Sequence, residues 1–122
     1  MYAVHPQTLP APVSLRLIGV LDADLVAAFG ALERGLVGRS GATIVVDVRD
    51  VDVLGEAHVD GLVRTIAGAR AEGRDVRLDG RSFPWRRAVK TALPAQPPVD
   101  AHLRAAVRRT VILAHRGKHP RR

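Results

Sequence analysis

From Val13 the apolar positions alternate with polar ones, Val13, Leu15 and Leu17 against Ser14 and Arg16, with Ile18 closing the run. A period of two marks a strand with one mostly buried face and predicts a strand over 13–21. Gly19 within it signals a bulge or a close approach of another backbone. Asp22 then stands where a helix wants its N-cap, and Asp24 adds negative charge to the first turn. Leu25, Val26, Phe29, Leu32 and Leu36 or Val37 fall along one side of a helix predicted over 23–38. The short β-branched run Ile44-Val45-Val46, bounded by Gly41 and Asp47, predicts a buried strand. Asp47, Asp50 and Asp52 after it read as an acidic, solvated turn. Beyond Leu54-Gly55 helical spacing resumes, and Val59, Leu62, Val63, Ile66 and Ala69 or Arg70 form one apolar face that stops at Gly73.

Val76–Leu78 predicts another short strand, with a turn at Asp79-Gly80. Ser82 is placed to cap a third helix, with Pro84 in its first turn, running to about Leu93 and halted at Pro94. PAQPPVD is a linker by composition. Asp100 is placed to cap a last helix over 101–116, with Leu103, Ala106 or Val107, Thr110 or Val111, and Leu113 or Ala114 on one face, and Arg104 and Arg108 opposite. Residues 1–12, with Pro6, Pro10 and Pro12, read as an irregular lead-in with room for a short edge strand around Tyr2–Val4. Residues 117–122 read as a basic disordered tail. The order β–α–β–α–β–α–α argues for one α/β domain over 13–116, its helices crossing over strands of a single sheet.

Composition narrows the picture. A chain of 122 residues carries one domain with its own core and is too short for two. With aromatics at only 3% that core must be aliphatic. The absence of cysteine removes disulfides and thiolate metal sites and fits a reducing compartment. The N-terminus shows no basic region followed by an apolar block, and no apolar run approaches the roughly 20 residues a membrane span needs. The expectation is a cytoplasmic protein. Its charge is unevenly spread. Residues 1–80 hold 8 Arg against 11 Asp+Glu, a balance of −3, whereas residues 81–122 hold 11 Lys+Arg against Asp100 alone, a balance of +10. Such asymmetry favours an anionic partner for the last third of the chain.

Several segments occur in an order that resembles the STAS domain family, that of the anti-sigma factor antagonists. They are Gly19-Val20-Leu21-Asp22, then Ile44-Val45-Val46-Asp47-Val48, then Val51-x-Val53-Leu54, then a helix ending in Ala71-Glu72-Gly73 and the strand Val76–Leu78. The resemblance covers roughly residues 13–115. It implies an α/β fold with a mixed sheet and helices packed on it, here with an extra basic C-terminal helix. It also implies a regulatory module acting by protein–protein binding, whose partner is an anti-sigma factor or kinase of ATPase-like fold. In the family the docking face surrounds the loop and the start of the following helix. By resemblance that face comprises Gly55, Glu56, Ala57, His58 and Asp60, with Asp22 at the neighbouring strand end.

One departure bears on regulation. Where the family carries Asp-Ser-Ser/Ala-Gly, this chain has Gly55-Glu56-Ala57-His58, and the phosphorylated serine falls on Ala57. Alanine has no hydroxyl to accept a phosphoryl group, so the usual phosphorylation switch cannot operate there. Glu56 supplies about one negative charge beside that position, against the −1.5 to −2 of a phosphate, and reads either as a phosphomimic or as an ordinary acid in a first helical turn. Glu56, His58 and Asp60 do not share a helical face, which argues against a metal cluster. No Gly-x-Ser-x-Gly, phosphate-binding loop or cysteine nucleophile is present, so the reading is a binding module without cofactor, not an enzyme. In the basic third, Trp85, Arg86, Arg87, Arg104, Arg108 and Arg109 make the alternative: a surface for nucleic acid or another polyanion, with Trp85 stacking on a base.

Overall fold

The computed structural model describes residues 10–79, 85–93 and 95–115. The strand expected near Tyr2–Val4, the Ser82 cap and the tail 117–122 lie outside them. Strand β1 (Val13–Val20) leads to helix α1 (Ala23–Ser40), β2 (Ile44–Asp52), α2 (Glu56–Ala71) and β3 (Val76–Asp79). Then come α3 (Trp85–Ala92), the short α4 (Ala101–Ala106) and β4 (Arg109–His115). The strands form a four-stranded sheet in the order β3-β2-β1-β4, and every pairing among the described residues is parallel. The fold is therefore α/β, as the alternation of elements requires.

The alternation in β1 becomes alternation of burial, with Val13, Leu15 and Leu17 buried and Ser14, Arg16 and Ile18 half-exposed. The buried row joins Ile44, Val46 and Val48 of β2 and Val76 and Leu78 of β3 in one core. Leu25 and Phe29 of α1, and Val59, Leu62, Val63, Ile66 and Ala69 of α2, close that core from the helical side. Among the described residues no helix is long and apolar enough to cross a membrane.

Two helix ends follow the rules that predicted them. Asp22 caps α1, its Oδ1 accepting the Leu25 N–H at 2.8 Å. Gly73 takes φ +87 after α2, and the Gly73 and Arg74 N–H groups donate back to the carbonyls of Arg70 and Ala69 at 2.9 and 3.1 Å. That is the glycine-terminated Schellman arrangement.

Three expectations are corrected. The sheet, expected to be mixed, is parallel at every described pairing. The acidic turn after Val46 is part of a strand, since β2 runs on to Asp52. A bulge explains the misreading. Between Arg16↔Asp47 and Ile18↔Asp50, β2 advances three residues while β1 advances two. The apolar row of β2 is therefore Ile44, Val46, Val48 and then Val51, a broken alternation that reads as an end. The long basic C-terminal helix is also not there. Asp100 does cap a helix, its Oδ1 accepting the Leu103 N–H at 2.8 Å, but that helix ends at Ala106. Val107 turns extended (φ −64, ψ 125), and Arg109–His115 pairs with β1 over its whole length.

Candidate partner-binding face

The chain moves from β1 to β2 to β3 in one direction and returns to the far side of β1 with β4. The parallel strands β1 and β4 therefore end side by side, and the carboxyl ends of strands are where open α/β sheets bind ligands. Asp22 sits at that point, with its Oδ2 3.0 Å from Nε2 of His115 at the end of β4. Gly19 makes the approach possible. It pairs with His115 at φ +119, and a Cβ built there would lie 1.7 Å from the His115 carbonyl oxygen. The Leu25 N–H holds the Asp22 carboxyl below its ordinary value; partial burial opposes this, and the His115 contact adds to the lowering. Asp24 brings a third group, all three offering ligand atoms within 4.8 Å of one another. Within this group Asp22 is held by the chain itself, its Oδ1 accepting the Leu25 N–H and its Oδ2 meeting His115 Nε2.

The second half of the face is the start of α2. Gly55 is the N-cap in extended geometry (φ −167, ψ 153) and supplies no side chain to the first-turn N–H groups. Leu54 just before it is 77% exposed. Glu56, Ala57 and Asp60 are exposed and His58 is half-buried, while Val59 turns into the core. Ala57 and His58 line a groove of about 530 Å³ between α1 and α2, together with Ala27, Gly30 and Gly61. Arg34 and Arg64 stand at its sides, and neither forms an ion pair among the described residues. Ala23, the neighbour of Asp22, borders the same groove, and His58 is near enough for its charge to favour the Asp22 carboxylate. The structure thus brings Asp22, Ala57 and His58 to one face, with Gly55 and Glu56 beside them and Asp60 on the exposed flank of α2.

The basic set is not gathered in this way. Trp85 is 2% exposed and belongs to the core with Leu93, so it cannot stack on a base. The Arg104 guanidinium donates to both Asp79 oxygens at 3.0 and 3.1 Å. Arg86 and Arg87 are exposed on α3, which packs against α2, whereas exposed Arg108 and Arg109 stand at the head of edge strand β4.

No family model, curated protein or solved structure matches this chain. What the chain can do is therefore argued from its own residues.

Sequence reasoning missed a cavity of about 200 Å³ on the sheet face away from α1 and α2, lined by Arg16, Asp47, Arg49, Asp79 and Arg104. Asp47 and Asp79 become neighbours only through the β2–β3 register. Both are buried, and each faces an arginine: Arg49 donates to Asp47 at 2.9–3.2 Å, as Arg104 does to Asp79. Burial pushes the Asp47 carboxyl up, but the Arg49 bonds outweigh it and leave it below its ordinary value. The cavity is thus walled by compensated ion pairs. The Arg–x–Asp and Asp–x–Arg spacings of a strand face were its only trace in the sequence.

Proposed function

We propose that this chain is a non-catalytic regulatory binding module of the anti-sigma factor antagonist type. It docks a cytoplasmic protein partner, an anti-sigma factor or ATPase-fold kinase, through the start of α2 and the α1–α2 groove. The observation that carries this reading is Ala57. It occupies the position of the family's phosphorylated serine, it is exposed in the first turn of α2, and it lines an open groove. A side chain placed there meets a partner docked on that face, yet has no oxygen for a kinase to modify. Binding is then constitutive with respect to that position, and Glu56 next to it holds a fixed negative charge at the helix N-terminus. The polyanion alternative is not favoured, because it loses Trp85 to the core and Arg104 to Asp79.

The test is capture of partners from a nuclease-treated host lysate on the tagged full chain, read by mass spectrometry, beside an Ala57→Trp variant. An exposed helical position tolerates the change to within about 0.5 kcal/mol of stability. The expected result is recovery of an ATPase-fold anti-sigma protein by the wild type and its loss, by about tenfold or more, with Ala57→Trp. Equal recovery by both forms, or no such protein with either, sinks the reading.

A further inference from the structure

The two edges of the sheet are finished differently. Along β3 the Gln96 side chain imitates a neighbouring strand: its Oε1 accepts the Leu78 N–H at 2.7 Å and its Nε2 donates to the Leu78 carbonyl at 3.0 Å. Arg70 and Arg77 hold the same segment by its Ala95 and Pro98 carbonyls, at 3.3 and 3.4 Å. That edge is covered. At β4, among the described residues, nothing comparable exists and no strand lies beside its outer edge.

An exposed edge is a template for another strand, and natural sheets blunt it with proline, charge or a bulge. β4 has none of these across Thr110-Val111-Ile112-Leu113-Ala114, and its pairing with β1 runs unbroken from Val13↔Arg109 to Gly19↔His115. Ile112 is 57% exposed, whereas Val111 and Leu113, packed against the core from the other face, are only half-buried. Among the described residues, β4 thus leaves apolar surface exposed on both sides of the sheet, at an edge that no strand pairs.

We propose that β4 pairs antiparallel with β4 of a second copy of this chain, about a twofold axis at Ile112, joining two four-stranded sheets into one. The sequence of the strand selects a copy of itself. Centred on Ile112, the pairing sets Ile112 against the partner's Ile112, Val111 against the partner's Leu113, and Thr110 against the partner's Ala114. Every central contact is then between β-branched or aliphatic side chains, the pairs that stabilise antiparallel strands. The twofold axis is perpendicular to the sheet, so each side chain keeps its face: Ile112 meets its mate on the side away from α1, and Val111 and Leu113 meet theirs on the helical side. Arg109 and His115 fall at the ends of the ladder, where solvent screens them. A seven-residue strand pair lies at the small end of specific interfaces, below about 1,200 Å², which makes the dimer a weak one, to be sought at micromolar and higher concentration. This interface is remote from the proposed α1–α2 docking face and does not depend on it.

Sedimentation velocity on the full chain from roughly 1 to 300 µM spans that range. The expected result is a shift from monomer to dimer mass with concentration. Ile112→Lys puts two ammonium groups face to face on the axis and weakens the dimer by about tenfold or more, while Arg86→Glu, a charge change on α3, dimerises like the wild type. Urea midpoints measured at the lowest concentration check that both variants fold. A wild type that stays monomeric throughout overturns the proposal, as does an Ile112→Lys chain that dimerises equally well. A monomer whose outward β4 amides are protected from hydrogen exchange also overturns it, because the edge is then covered from within the chain.

Discussion

Gly19 carries a constraint that no other residue type can meet. Its φ of +119 lies where side chains are strained, and the space a Cβ would need is held by the His115 carbonyl 1.7 Å away. An alanine there has to push β4 off β1 or flip the backbone. Backbone strain and overpacking together cost about 2–4 kcal/mol. Gly19→Ala should lower the urea midpoint accordingly and separate His115 from Asp22, a change visible in the His115 ring resonances. Gly35 is the contrast. It is exposed within α1, a methyl group added to it would meet nothing within 4 Å, and it takes an ordinary helical φ. Gly35→Ala should therefore stabilise the chain by about 0.5–1 kcal/mol. Equal effects at the two positions would mean that the β1–β4 approach is not what requires glycine at 19. The demand at Gly19 was legible in the sequence as a glycine inside an alternating run, but its partner was not, because His115 lies 93 residues beyond Asp22.

Strands and helices that bury one face declared themselves: β1, α1, α2 and β3 each carry a periodicity that burial then follows. Two elements did not, and for different reasons. In β2 the bulge shifts the apolar row by one residue, so the strand looked shorter than it is. In the last element two periods overlap, since Leu103, Val107 and Val111 suit a helix while Thr110-Val111-Ile112 suits a strand. Pairing with β1 decides the matter, and a window along the chain cannot see that partner. The same blindness hid Glu33. It occupies the buried stripe of α1 after Leu25 and Phe29, only 1% exposed, because Arg74 reaches it from beyond α2 with bonds of 2.6 and 3.1 Å. Glu33 and Glu72 raise the affinity of that guanidinium for its proton. Replacing Glu33 by Gln keeps the shape and removes the charge. We expect a loss of about 1–3 kcal/mol, and a double-mutant cycle with Arg74→Met should return coupling of similar size. Additive effects would show that α1 is not tied to the α2–β3 turn through this pair. At the candidate site the helix-capping role of Asp22 and the start of α2 were legible, whereas the groove needs α1 beside α2 and could not be read from either helix alone.

Charge along the chain and charge in the fold tell different stories. The formal +7 comes from the last third of the sequence, yet the folded state uses its carboxylates most heavily in the first two thirds. Asp22, Asp47 and Asp75 all sit below the ordinary aspartate value of 3.8. For Asp75 the Arg77 bonds are the leading cause, partial burial opposes them, and the Thr43 hydroxyl adds to the lowering. The sign of the effect follows. A depressed carboxylate holds its proton less tightly in the folded chain than in the unfolded one, so in acid the unfolded chain binds more protons. The stabilisation is present in full above the ordinary value and disappears as pH falls from near 3.8 through the lower folded values. Acid also strips negative charge from a chain already rich in arginine, which adds self-repulsion in the same direction. We expect the urea midpoint to be level between about pH 7 and 5 and to fall steeply below about pH 4. Each proton taken up on unfolding contributes a slope of about 1.4 kcal/mol per pH unit. Asp47→Asn removes one of these groups, so its stability should start lower at neutral pH and decline less steeply in acid. The comparison of slopes, rather than of midpoints, isolates the linkage, because the neutral side chain loses its Arg49 ion pair at every pH. A wild type that keeps its midpoint down to about pH 3, or an asparagine variant with an unchanged slope, would place the acid sensitivity elsewhere than in the Asp47–Arg49 pair.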